Sequence, residues 1–270
     1  NAYGSAKTYT ELMNSGLYTD GWDSSIWNLP KGEAGEGYEI GLPALTGVTR
    51  PQDVVRSTWF DGGWGTADSA YGIANWGQLS NMRLLLDKHY RLNDDLDSQT
   101  SGYAQHASAT ANGGAGFKPI GADTSTPFSG TLDGQGHAIS DLVVKTSGTG
   151  LVYAGLFGAV SGGAKISNLG LVNATVSASG GSHNYAGALA GFAIGQTDIS
   201  HSYASGGSVA TRDASVVNYV GGLIGFLNGP ILTDSYACNE ISTLSSGSSA
   251  YSYAGGLAGY GISSYIKRSY

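Results

Sequence analysis

The chain has 270 residues, of which 41% are hydrophobic and 12% charged, with 44 glycines, 17 tyrosines and a formal net charge of −7. That length and apolar content can bury a sizeable core, while a charged fraction far below the usual level of about 25% leaves few solvated helix faces and points to a turn-dense, β-rich fold. The 13 scattered Lys and Arg residues exclude a nucleic-acid binder, the single cysteine excludes a disulfide framework or multi-Cys zinc site, and the chain lacks an apolar membrane-spanning run.

In chain order, residues 1–50 hold a short amphipathic piece around Leu12 and apolar runs at 22–30 and 38–45, and read as the β-rich end of a preceding module. Residues 51–70, with Pro51 and the glycines flanking Trp64, read as a linker. Over 71–90, Leu79, Met82 and Leu86 share one helical face, so a helix is expected there. It is placed to close the end of the following domain, with Trp76 helping to cover it. Residues 90–97 alternate as a strand, 99–116 are rich in Ser, Gly, Ala and Thr and read as a long protruding loop, and 117–120 bring the chain back to the fold.

From residue 151 the sequence repeats. Four glycine boxes, Ala154-Gly155-Leu156-Phe157-Gly158, Ala186-Gly187-Ala188-Leu189-Ala190-Gly191, Val220-Gly221-Gly222-Leu223-Ile224-Gly225 and Ala254-Gly255-Gly256-Leu257-Ala258-Gly259, close at intervals of 33, 34 and 34 residues. Tyr153, Tyr185, Tyr219 and Tyr253 precede the boxes in phase. Ile166, Ile199, Leu232 and Ile266 follow them, then Leu169, Ser202, Ser235 and Ser269, and in the last three repeats Tyr203, Tyr236 and Tyr270. A fixed period of this size marks a solenoid. Within a unit the apolar residues alternate over short runs bounded by Gly and Ser, so the units are built of strands. The expected fold over 71–270 is all-β: a right-handed parallel β-helix with a short capping helix. Ile166, Ile199, Leu232 and Ile266 form one buried ladder, Leu156, Leu189, Leu223 and Leu257 a second, and the box tyrosines a possible third. Glycine is expected to supply the left-handed corners between strands.

The boxes resemble the bacterial GLUG repeat at Gly155-Leu156-Phe157-Gly158, Ala188-Leu189-Ala190-Gly191, Gly222-Leu223-Ile224-Gly225 and Gly256-Leu257-Ala258-Gly259, with Ala188 departing from the pattern. Residues 128–142, beginning Phe128-Ser129-Gly130-Thr131-Leu132-Asp133-Gly134, resemble the segment that introduces such arrays in filamentous-haemagglutinin-like adhesins. The resemblance covers about residues 71–270. It implies a non-catalytic piece of a longer, secreted bacterial cell-surface protein, without cofactor or metal. Such a piece would act as a monomeric rod supporting attachment to host cells, other bacteria or matrix glycans and proteins, without membrane insertion. The same repeat in bacterial IgA-specific metallopeptidases implies an alternative, the accessory stalk of a secreted peptidase. A carbohydrate-active β-helix of the lyase or hydrolase kind is a further alternative and needs carboxylates aligned on one face.

Candidate chemistry is sparse. Asp94, Asp95 and Asp97 are the densest acid cluster, but they lack the glycine and distal glutamate of a calcium loop and read as a polar strand edge. Asp133 reads as a turn residue. His89, His106, His137, His183 and His201 lack metal-ligand spacing, and Cys238 reads as buried bulk. Exposed aromatics offer a route to stacking on sugar rings, with Trp59 and Trp64 the least constrained, whereas the in-phase tyrosines read as packing. No catalytic, cofactor or metal residues are assigned.

Overall fold

The computed structural model describes residues 59–245 and 251–270, together with the backbone of a small antiparallel ladder in which Trp27–Asn28 pairs with Ala44–Leu45. The amphipathic piece around Leu12 and the Pro51 region lie outside the described residues. The chain divides into two compact units, Asn1–Trp59 and Phe60–Tyr270.

The second unit is a parallel β-helix. Its first coil runs through Thr131–Asp133, Ala138–Ser140, Val143–Ser147, Leu151–Ala154 and Phe157–Val160. The second runs through Lys165–Ser167, Gly170–Val172, Thr175–Ser179, His183–Gly187 and Ala190–Ile194. In the third, Asp198–Ser200, Tyr203–Arg212, Val217–Gly221 and Ile224–Asn228, the second and third strands have merged. The fourth, Ile231–Thr233, Tyr236–Leu244, Tyr251–Gly255 and Ala258–Ile262, repeats that pattern, and Tyr265–Lys267 follows it. Strands pair in parallel with their equivalents in the neighbouring coils, in register except for a bulge between Ser205 and Ser208 against Tyr236–Leu244: Leu132 pairs with Ile166, Ile166 with Ile199, Ile199 with Leu232 and Leu232 with Ile266.

Two expected ladders are present inside. Leu132, Ile166, Ile199 and Leu232 are buried in one, and Leu156, Leu189 and Leu223 in the other; a third is made by Val144, Val176 and Val209. The expected fourth members are not buried: Ile266 is 45% exposed and Leu257 half-buried, because no further coil among the described residues covers them. Full burial of each aliphatic side chain contributes roughly 1.5–3 kcal/mol, so the ladders supply most of the drive for stacking. The registered strands then satisfy the backbone donors and acceptors that accompany those side chains into the core.

The closing glycine of each box is demanded by close approach. A Cβ on Gly225 would sit 2.6 Å from the carbonyl oxygen of Gly191 and 2.7 Å from the amide nitrogen of Ala186; on Gly259 it would sit 2.6 Å from the Gly225 oxygen. One box therefore leaves space only for the bare Cα of the next. The expectation that glycine makes the left-handed corners fails at one corner of the second, third and fourth coils and again after Tyr265–Lys267, where Asn168, His201, Asp234 and Arg268 adopt φ of 54°, 49°, 51° and 50°. The inter-coil hydrogen bonds Asn168 N to Ser200 O, His201 N to Thr233 O and Asp234 N to Lys267 O hold that column in place despite the steric cost of left-handed backbone.

The N-terminal end is closed by an irregular layer. Tyr71–Ile73 pairs in parallel with His89–Leu92, which pairs with Thr131–Asp133 of the first coil. Between them lies the helix Trp76–Asn81, capped by the Asn75 side chain, which accepts from Gln78 N at 2.9 Å, and extended by a single 3-10 turn, Met82–Leu84. The helix is shorter than expected because both ends of the 71–90 segment are drawn into the sheet, where Tyr71, Ile73 and Tyr90 are buried. Of the expected apolar face, Leu79 and Met82 are buried, while Leu86 falls beyond the helical turns and is half-buried; Trp76 is buried and its Nε1 donates to the Asp97 carbonyl at 2.8 Å.

Two further expectations are corrected. Residues 99–116 do not protrude: Ala107 and Ala111 are buried, Tyr103 donates its hydroxyl hydrogen to Asp141 O at 2.9 Å, and Phe117 N and Lys145 N complete hydrogen bonds with Val143 O and Ala115 O. That segment covers an open strand edge of the first coil, while Leu96, Ile120 and Phe128 bridge to Ile139, Phe157 and Val160 at others. Residues 60–70, expected as the end of a linker, belong to the cap. Phe60 stacks on Tyr71 at 4.5 Å, and Asp61 N donates to Gly72 O.

Gly225→Ala is expected to destabilise the domain by about 1–3 kcal/mol through backbone displacement. Gly261→Ala, with nothing within 4 Å of the added carbon, should leave stability unchanged or slightly raised. Paired urea denaturation curves check the contrast.

Candidate functional site

The outer wall carries two sets of stacked aromatic rings. Tyr153, Tyr185, Tyr219 and Tyr253 lie in register on successive coils. Their ring centroids are 5.1, 5.0 and 5.3 Å apart and nearly parallel. Along each strand the flanking residues point the other way: Asn184 and Ala186 are fully buried on either side of Tyr185, as strand alternation requires. On the next strand, Phe192, Phe226 and Tyr260 form a parallel column with spacings of 5.1 and 5.5 Å. The columns meet edge to face, Tyr185 with Phe192 at 5.2 Å and 88°, and Tyr219 with Phe226 at 5.0 Å and 83°. Outward side chains of consecutive strands touch because the wall bends inward at this corner. The tyrosines, a possible third interior ladder by sequence, instead make a second apolar cluster separate from the main core.

A second tyrosine column, Tyr203, Tyr236 and Tyr270, has spacings of 5.1 and 5.4 Å and interplanar angles of 5° and 11°. It rests on Gly170, where a Cβ would lie 2.5 Å from the Tyr203 ring. In both tyrosine columns each inner ring has neighbouring rings against its faces. Within the columns the faces a sugar would stack on are already used, so the aromatic route to glycan binding is left to column ends such as Tyr270, which is 79% exposed, and to Trp59 and Trp64, which are 39% and 47% exposed. Ring edges and phenol hydroxyls are what the outer column presents to solvent.

The acids build turns. Asp95 accepts from Ala138 N at 2.9 Å and pairs with His137 Nδ1 at 3.1 Å, and Asp97 accepts from Gln99 N and Thr100 N. Those backbone N–H groups are the main reason both carboxyls titrate below the usual range. Asp94 is solvent-exposed, and Asp133 accepts from Gln135 N and Asn168 Nδ2 in the expected turn. The histidines are dispersed: His89 bonds Thr131 at 2.9 Å, His183 bonds Ser182 at 3.2 Å, and His201 lies 3.8 Å from Asp234. Burial lowers the pKa of His106. Cys238, expected as buried bulk, is exposed beside Ser205 of the coil below. No cluster of three or more potential metal ligands occurs among the described residues.

No family model matches the chain. It is 37% identical over 120 residues to a halomucin of Haloquadratum walsbyi, covering 43% of this chain and 1% of that protein. It is 32% identical over 145 residues to a protein of Evansella cellulosilytica provisionally named as a Gly-rich membrane protein, covering 53% of this chain and 15% of that one. The chain thus spans a small part of the length of these relatives. Among solved structures, it superposes with a TM-score of 0.54 on a chain from Bacteroides ovatus provisionally named an immunoglobulin A1 protease, at 19% identity, over 78% of this chain and 68% of that one. That likeness is one of fold. No helix among the described residues is long and apolar enough to cross a membrane.

Sequence reasoning missed a buried asparagine column directly inside the tyrosines. Asn184 and Asn218 are fully buried; Asn184 Nδ2 donates to Asn218 Oδ1 at 3.0 Å and to Arg212 O at 2.7 Å, while Asn184 Oδ1 accepts from Gly181 N at 3.0 Å. The legible signal was an asparagine immediately before the repeated tyrosine in two successive repeats. Asn184→Ala leaves those buried partners unsatisfied and is expected to cost about 1–3 kcal/mol in denaturation experiments.

Burial beside Tyr153 and Tyr219 pushes the Tyr185 phenol up from 10.0 to about 12. A phenol whose native pKa is raised contributes stability that is complete below pH 10 and lost as pH rises through the native value. Absorbance titration of phenolate with parallel circular dichroism is expected to show stability falling between pH 10 and 12. Tyr185→Phe, which keeps the ring, should remove part of that alkaline loss.

Proposed function

We propose that this chain is a non-catalytic rod segment of a secreted, cell-surface protein, an adhesin-type scaffold that extends and presents surfaces for attachment to host cells, other bacteria or matrix glycans and proteins. The observation that carries the reading is the in-register stacking of equivalent residues coil upon coil. Adding coils to such a stack adds length, about 4.8 Å per coil, without changing the cross-section. Relatives named as a halomucin and as a Gly-rich membrane protein support a place at the cell surface. The GLUG-like boxes support kinship with surface adhesins. A second reading, the accessory stalk of a secreted peptidase, is favoured by one finding, the fold shared with a chain provisionally named an immunoglobulin A1 protease.

The purified protein is expected to bind reproducibly to a member of a broad glycan and matrix-protein array, with binding competed by the same soluble ligand and the ligand recovered intact by mass spectrometry. Cleaved glycan or peptide in that recovery would replace the scaffold reading with an enzymatic one. Silence across the array would favour the stalk.

A further inference from the structure

The outer tyrosine column combines features that the inner one lacks. Tyr203 and Tyr236 are direct partners in paired strands, only partly buried, with rings 5.1 Å apart. Tyr236 and Tyr270 are 5.4 Å apart, with Tyr270 tied down by Ala237 N donating to its carbonyl and its own N–H donating to Ser235 O. The inner column is clamped along its ring edges by Phe192 and Phe226, and Tyr153 and Tyr185 are buried. Among the described residues the ring–ring contacts of Tyr203, Tyr236 and Tyr270 are with each other, with no phenylalanine against their edges, and Tyr203 also packs over the bare Cα of Gly170. With one cysteine in the chain, coils cannot be stapled to each other by an internal disulfide.

We propose that the column Tyr203, Tyr236 and Tyr270 is an oxidative modification site at which adjacent coils are joined through dityrosine. The co-reactant is hydrogen peroxide used by a haem peroxidase or an equivalent one-electron oxidant. Each of two phenols loses one electron and one proton, giving two tyrosyl radicals with spin density on the ring carbons ortho to oxygen. Those carbons form the new carbon–carbon bond, leaving each ring as a dienone; each coupled carbon then loses its hydrogen as a proton while its ring's carbonyl oxygen gains one, restoring two phenols. Two hydrogen atoms leave per link, and one peroxide is reduced to two waters. The link ties residues 33 or 34 apart in sequence, restricting the unfolded chain as a disulfide would. Cys238, exposed two residues beyond Tyr236 and therefore on the same face of the strand, is the competing reductant nearest the column.

The test treats dilute protein carrying Cys238→Ser with peroxidase and hydrogen peroxide. The expected result is blue dityrosine fluorescence in a chain that remains monomeric on a denaturing gel, an intact mass lower by two hydrogens per link, and a raised thermal unfolding midpoint. Peptide mapping should join Tyr203 to Tyr236 or Tyr236 to Tyr270. Tyr236→Phe, which preserves the ring stack and should melt like its parent before oxidation, is expected to abolish these links, whereas Tyr185→Phe should leave them intact. Links that map to other tyrosines or between molecules would overturn the proposal. So would a yield unchanged by Tyr236→Phe, or the same link map from protein oxidised in urea.

Discussion

Parallel hydrogen bonding between successive coils places the paired strand residues directly over their equivalents one period earlier, and most other features of the domain follow from that constraint. A column must be self-compatible along its whole length. Aliphatic residues meet the requirement by packing, as in Leu132, Ile166, Ile199 and Leu232. Polar residues meet it by bonding to their own kind. Ser202 N donates to Ser235 Oγ at 3.1 Å and Ser235 N to Ser269 Oγ at 3.2 Å, and the Asn184–Asn218 pair does the same deeper in the wall. A buried polar group is tolerable when its partner is the next copy of itself. Glycine is required in the box because the same backbone bend recurs above and below, leaving one Cα against the carbonyl of the last.

The same constraint makes the ends of the stack special, since an unpaired coil exposes strand edges and an apolar interior. The N-terminal layer solves this with heterogeneous pieces. A strand pair extends the first sheet, a helix buries Trp76, Leu79 and Met82 over the interior, and single residues at Leu96, Ile120 and Phe128 bridge remaining edges. None of these pieces repeats, because each matches a different edge. The stretch that resembled a linker and a surface loop therefore has a packing role of its own.

Outside the stack, the residues that offered chemistry are occupied in structural work. The acid cluster organises turns next to the cap, and the box tyrosines lean on phenylalanines across a re-entrant corner. The outer tyrosines remain accessible along their edges, in an arrangement set by the coil spacing.

The sequence by itself determined the period, the strand character of each unit, the aliphatic ladders, the turn at Asp133 and the apolar face of the capping helix, because each depends on spacing along the chain. Tertiary structure alone decided which repeated residues face inward. A residue on either side of the wall recurs with the same period, so Tyr185 and Ile199 carry the same periodic signal. Only the strand phase and the bend at the glycine box send one outward to a second aromatic cluster and the other into the core. It also decided the shortened helix, the packed segment 99–116, the exposure of Cys238 and the asparagines behind the tyrosines. Each of these depends on which edge or corner of the coil stack lies opposite, and that is fixed by contacts between residues distant in the chain.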